Sequence, residues 1–213
     1  HTENERGPSR WWPSALSERT ASNRTATNSF RVMGPQECWP PWTTERCTVM
    51  VVSAQLNDKA QSFFNQKRQE FFPPERNYLD AHLTLFHKLP ENKKAAIGDH
   101  LEMLVNKTEV MKAEVNDIMF MGFGSAFVIE CSPLQELRAA LVAEWCALLT
   151  PQDKQRFKPH ATFQNKVPAV QAKQVFAAQN DKFTPFSCKI LGLSLWHYDN
   201  GPWELIEDFM FQG

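Results

Sequence analysis

Two short stretches, Asp80-Ala81-His82-Leu83-Thr84-Leu85-Phe86 and Lys158-Pro159-His160-Ala161-Thr162-Phe163-Gln164, share one pattern 78 positions apart. Successive side chains of an extended strand point to opposite faces. His82 and Thr84 therefore occupy one face, with Leu83 and Leu85 on the other, and His160 and Thr162 are set likewise against Ala161 and Phe163. Each strand offers an imidazole and a hydroxyl side by side, backed by apolar residues that anchor it. A single His-x-Thr is weak, because a half-buried structural histidine explains it. Two copies on short strands, each followed by a helix, point to an internal duplication whose motifs share one site.

Outward from these stretches the chain reads as alternating elements. Cys47 to Leu56 is strand-like, and Asn57-Asp58 caps an amphipathic helix to about Phe72, which Pro73-Pro74 stops. A strand follows at Ala81 to Phe86, then a helix from about Glu91 to Lys107 and strands near Val110 to Met121 and Ala126 to Cys131, joined by the Gly122-Phe123-Gly124-Ser125 turn. Ser132-Pro133 opens a helix whose Leu134, Leu137, Leu141, Trp145 and Leu148 recur at helical spacing. A strand at His160 to Lys166, a helix from Pro168 to about Asn180, and strands Phe186 to Tyr198 and Trp203 to Phe211 complete the order. Asp199-Asn200-Gly201 marks the last hairpin. The pattern is α+β throughout.

Residues 1–46 carry no apolar periodicity and read as a disordered extension, either a functional tail or a segment upstream of a start at Met33 or Met50. With 213 residues and 42% hydrophobic content, the remainder suffices for a core. A net charge of −1 lacks the basic excess with which duplex-binding proteins displace counterions, so a nucleic-acid substrate should be short or a chain end. The five cysteines form no C-x-x-C pair, which fits a reducing cytoplasm. Cys131 and Cys146 sit in apolar context and read as small buried hydrophobes. There is no membrane-spanning run and no signal-peptide pattern, so a cytoplasmic location without a membrane partner is expected.

The other histidines act as controls. His87 falls on the opposite face from His82 if the strand runs on regularly, and should stay outside the site; His100 and His197 read as structural or exposed. Asp80, His82 and His160 could in principle ligate a metal, but Lys158 stands where the second motif would need its acidic residue, and no H-E-x-x-H or Cys/His cluster is present. Expected cofactors are none. Arg76, Arg156, Lys158 and Lys166 flank the motifs as candidate substrate contacts, Lys158 first because it alternates onto the His160 face. Phe86, Tyr78 and Trp196 could stack a base, although aromatic residues in strands more often serve the core.

H-L-T-L-F and H-A-T-F-Q resemble the paired H-x-[S/T]-x-hydrophobic signatures of the 2H phosphoesterase superfamily. The longer stretches F-F-P-P-E-R-N-Y-L-D-A-H-L-T-L-F-H and R-F-K-P-H-A-T-F-Q-N-K-V resemble its bacterial 2′-5′ RNA ligase branch, and the likeness extends over about residues 48–211, including L-W-H-Y-D-N-G-P-W-E-L. The resemblance implies two pseudo-symmetric lobes with antiparallel sheets flanking a central cleft and helices outside. It also implies a metal-independent opening of 2′,3′-cyclic phosphates on RNA ends to 2′-phosphates, with possible reversible 2′-5′ ligation. His82 would be the acid toward the leaving 3′ oxygen and His160 the base, with Thr84 and Thr162 as fixed donors. Phosphodiester hydrolysis of another small cyclic or 2′-5′-linked nucleotide, and RNA-end binding with little turnover, are the alternatives. A monomeric state is expected.

Overall fold

The computed structural model describes residues 48–199 and 201–213. The extension proposed at 1–46, with Cys38 and Cys47, lies outside the described residues, as does Asn200 of the last hairpin. Residues Glu45–Gly213 form one unit.

Seven strands and four helices follow in the order β1 (Val49–Leu56), α1 (Asp58–Phe71), β2 (Leu83–Pro90), α2 (Lys94–Val105), β3 (Met111–Phe120), β4 (Ser125–Glu130), α3 (Ser132–Glu144), β5 (His160–Gln164), α4 (Ala169–Lys182), β6 (Phe186–Tyr198) and β7 (Glu204–Met210). The chain thus runs β-α-β-α-β twice, with β7 added at the end. The sheet order is β2-β1-β6-β3-β4-β5, all antiparallel, and β7 pairs with β6. That order reads the same under exchange of the two repeats. Each repeat donates its third strand to the other, so β6 lies beside β1 and β3 beside β4. The two lobes are therefore halves of one continuous sheet, and neither is complete without a strand from the other.

In these strands, membership of the apolar core follows strand parity. Met50, Val52, Ala54 and Leu56 of β1, Leu83 and Leu85 of β2, Ala161 and Phe163 of β5, and Leu193 and Leu195 of β6 are buried in one apolar core. Helix α1 packs over β5 and β6, α2 over β6 and β7, and α4 over β3. The periodic face expected of α3 is buried at Leu134, Leu137, Leu141 and Trp145. Two local readings are corrected. Cys146 is exposed, because α3 ends at Glu144 and the chain turns after Trp145. Asn57 makes no side-chain cap; its Oδ1 instead accepts from the Lys189 amide at 2.8 Å, while its own amide donates to the Lys189 carbonyl at 3.0 Å. The residue that begins α1 thus fastens it to β6.

β2 and β5 are the two sheet edges, and they come close to each other without a hydrogen-bonded ladder. Two buried arginines tie these edges to helices of the opposite repeat. Arg68 of α1, after the first strand of repeat one, donates from Nη1 to the Thr162 carbonyl of β5 at 3.1 Å. Arg138 of α3, after the first strand of repeat two, donates from Nε to the Leu85 carbonyl of β2 at 3.0 Å. Each helix therefore satisfies an edge carbonyl on the motif strand of the other repeat. Burial lowers the pKa of both guanidiniums, with Asp80 and Asp153 opposing the effect. Aromatic rings cover them: Phe72 lies 3.9 Å from the Arg68 guanidinium carbon, and Phe157 lies 4.6 Å from that of Arg138.

Replacing Arg138 by Met keeps the apolar stem and leaves the Leu85 and Asp153 carbonyls without their donor. We expect a loss of about 3 kcal/mol, the usual cost of stranding buried acceptors of a charged donor. Urea denaturation of the variant measures it. A change within about 0.5 kcal/mol, the range of ordinary surface substitutions, would show that the arginine does not hold the edge.

Candidate active site

The residue before each motif histidine is fixed first. Asn65 of α1 accepts the Ala81 amide at 2.8 Å, and Gln61 donates to the Ala81 carbonyl at 2.7 Å. Arg68 Nε donates to the Leu79 carbonyl at 3.0 Å. On the other side, the Ile129 amide of β4 donates to the Pro159 carbonyl at 3.0 Å. The Gly122–Ser125 turn seats on the end of β5, where a Cβ on Gly124 would overlap the Gln164 backbone. Glycine is needed there because the turn backbone lies against the strand that carries the second motif.

The two histidines are held alike. His82 Nδ1 lies 2.8 Å from the Asp80 carbonyl oxygen, and His160 Nδ1 lies 2.8 Å from the Lys158 carbonyl oxygen. A carbonyl only accepts, so Nδ1 carries the proton in both rings and Nε2 is left for other chemistry. Both rings are half-buried, as are Thr84 and Thr162. Burial pushes the His82 pKa down from 6.5 to about 4, partly offset by the Asp80 carbonyl, with the Arg68 and His160 charges adding to the depression. Burial likewise lowers that of His160, offset by the Lys158 carbonyl, with His87 and Lys158 adding to the depression. The effect of the His160 charge on His82 places the two motifs within electrostatic reach of each other. With their pKa values below 6.5, both rings are predominantly neutral at pH 7 in the ligand-free chain.

Thr84 pairs with Ser53 of β1, and Ser53 pairs with Ser194 of β6, forming a polar row across the His82 face. Trp196 donates from Nε1 to Ser53 Oγ at 2.7 Å. The Trp203 ring, just before β7, lies 4.5 Å from the His82 ring centre and 6.0 Å from that of Trp196. Trp196 thus lies at the site, Phe86 is wholly buried, and Tyr78 is exposed on the loop before the first motif. Trp203 was missed by sequence reasoning; its place two residues after the hairpin glycine was the signal available.

Of the candidate substrate contacts, Lys158 lies two residues before β5 and close enough to His160 for its charge to depress the His160 pKa. Arg76, Arg156 and Lys166 are exposed, and Lys166 has a positive φ of 60°. His100 accepts from Trp145 Nε1 at 3.0 Å and His197 pairs with Glu91 at 3.0 Å, both away from the motifs in structural roles. Among the described residues, no group of three or more His, Cys, Asp or Glu side chains is arranged to hold a metal ion.

His87 corrects the sequence reading. Phe86 pairs with Val52, which faces the core, whereas Thr84 pairs with Ser53 on the other face, so Leu85 is the extra residue of a β-bulge. Leu85 and Phe86 are consequently both buried, and parity is reset beyond them. His87 comes onto the same face as Thr84.

A family model described as the 2′-5′ RNA ligase superfamily matches residues 56–202. The chain belongs to that superfamily. No curated protein matches the sequence significantly. Among solved structures, the superfamily member is similar to TT0787 of Thermus thermophilus, with a TM-score of 0.58, 16% identity, and coverage of 78% of this chain and 98% of that one. It is also similar to E. coli LigT complexed with 3′-AMP, with a TM-score of 0.52, 16% identity, and coverage of 78% and 99% respectively. At these identities the likeness concerns the fold, a LigT-like α+β arrangement around one open antiparallel sheet. Among the described residues, no helix is long and apolar enough to cross a membrane.

In the ligand-free protein His82 should stay neutral down to about pH 4, because burial penalises its charged form. Titration of the ring resonances by NMR checks this, and a His82 midpoint at the ordinary 6.5 would contradict the burial described.

Proposed function

We propose that this superfamily member is a metal-independent phosphodiesterase that opens 2′,3′-cyclic phosphates on RNA ends or short nucleotides to 2′-phosphates. The observation that carries this reading is the matched pair of histidines, each with Nδ1 tied to the carbonyl two residues earlier and Nε2 free on the motif face. LigT's complex with 3′-AMP supports a nucleotide as the ligand class.

In the proposed reaction water attacks phosphorus as His160 Nε2 takes its proton. The bond from phosphorus to the 3′ oxygen breaks, and His82 Nε2 gives that oxygen a proton. One water is added, and the histidines end with their protonation exchanged. Thr84 and Thr162 donate to the non-bridging oxygens as charge gathers there. The acid must be an imidazolium, which burial disfavours in the free protein; the phosphodiester's negative charge, once bound beside it, favours that form. Ligation would follow the same path with a 5′ hydroxyl of a second strand in place of water, His160 taking its proton as the 3′ oxygen leaves, and the roles swap only when the 2′-5′ bond is cleaved back to the cyclic phosphate.

An acid and a base that serve one displacement should act as a unit. His82→Ala and His160→Ala should each lower turnover by roughly 10² to 10⁴, and the double variant should be barely worse than the more damaging single one. Independent multiplication of the two losses in steady-state kinetics would refute the shared reaction. Turnover should persist in EDTA, whereas loss on chelation with recovery on adding one divalent ion would refute the metal-independent route.

The pH profile of kcat/KM reports the free protein, in which both imidazoles are depressed. Its two macroscopic limbs belong to the pair. A bell with its optimum below 6.5 is expected from rate measurements across pH, and an optimum on the alkaline side would contradict it.

A further inference from the structure

His87 has a side chain that the fold does not account for. Asp153, in the turn after α3, has no exposed side-chain surface, whereas the His87 side chain is 45% exposed. Asp153 Oδ1 accepts the His87 amide at 2.8 Å, and Oδ2 accepts the Lys88 amide at 3.2 Å and the Thr150 hydroxyl at 3.0 Å. The two amide bonds satisfy the outer edge of β2, and any residue but proline at positions 87 and 88 would supply them. The ring makes a further bond, with Nδ1 at 3.1 Å from Asp153 Oδ1.

Burial opposes the Asp153 carboxylate, yet the bonds from His87 and Thr150 outweigh it and hold its pKa below the usual value. An ionised carboxylate only accepts, so the His87 Nδ1 carries a proton and Nε2 faces away from Asp153. The bulge at Leu85 sets this ring on the face of Thr84, and its charge acts on both His82 and His160. Three imidazoles thus converge, each with Nδ1 held by an oxygen and Nε2 left over.

We infer that His87 binds a non-bridging oxygen of the substrate phosphate through Nε2, with Asp153 as the positioning residue that holds its ring. The inference rests on the phosphodiesterase reading for the identity of the anion. A proton on Nε2 makes this a charge-assisted hydrogen bond to a phosphate oxygen. The role differs from those of His82 and His160, since no proton needs to leave the ring during the reaction. It predicts an effect carried mainly by binding.

The test uses inorganic phosphate as probe on the full chain, following the histidine ring resonances by NMR. His87 signals should shift with phosphate together with those of His82 and His160. His87→Ala should weaken phosphate binding by at least roughly tenfold, the lower end for one charge-assisted hydrogen bond. It should also raise KM for a 2′,3′-cyclic nucleotide more than it lowers kcat. Asp153→Asn should weaken phosphate binding in the parent chain but add nothing in the His87→Ala background, a comparison that a general loss of stability would not satisfy. A smaller loss for His87→Ala, silent His87 signals, or no phosphate binding by the parent chain would overturn the inference. Turnover of the cyclic nucleotide by the same parent sample separates the two ideas. If it is absent while phosphate binding depends on His87, the phosphodiesterase reading falls and the anion site stands; if it is present without any effect of His87, the reverse holds.

Discussion

Everything at the site depends on two sheet edges being held together without a ladder between them. Backbone hydrogen bonds would close β2 on β5 and bring the two motif strands into one ladder. Arg68 and Arg138 instead satisfy one carbonyl on each edge from the helix of the opposite repeat. The guanidinium suits the task because several donors radiate from one rigid plane and its flat faces accept aromatic cover. An edge strand normally presents unpaired backbone groups to water. Here some of those groups become the seam between the repeats, and the motif side chains stand on strands whose backbones are pinned.

The exchange of third strands has a related consequence. β6 lies beside β1 and β3 beside β4, so neither His-x-Thr strand belongs to a lobe that could close its own sheet. The two motifs are coupled through the backbone as well as through the arginines. This geometry suits the single displacement proposed for the two groups, where a small misplacement is costly. Burial at the site penalises the charged imidazoles.

The sequence made much of this legible. Strand parity around His82 and His160 was readable because a strand buries alternate residues, and the apolar partners Leu83, Leu85, Ala161 and Phe163 are indeed in the core. The α3 stripe and the terminal hairpin were readable for similar local reasons. Contacts between distant segments were not. Nothing local to Asn57 says that its side chain will hold Lys189, and Arg68 and Arg138 look like ordinary helix residues until their distant targets on the opposite motif strands are known. The bulge at Leu85 was hidden because one extra residue leaves composition unchanged while turning over the face of the residue that follows Phe86, which is why His87 read as a control although it comes onto the face of Thr84. Trp203 escaped for the same kind of reason, as its place beside His82 depends on how the hairpin folds back.

The claim that joins these observations is chemical: two matched imidazoles, one on each side of a phosphate, expel the 3′ oxygen and keep the 2′ one. The most direct measurement is ³¹P NMR of the products formed when the full chain is incubated with a 2′,3′-cyclic mononucleotide. The account predicts a single new resonance, that of the 2′-phosphate. A 3′-phosphate product, or an unchanged cyclic substrate, would contradict it.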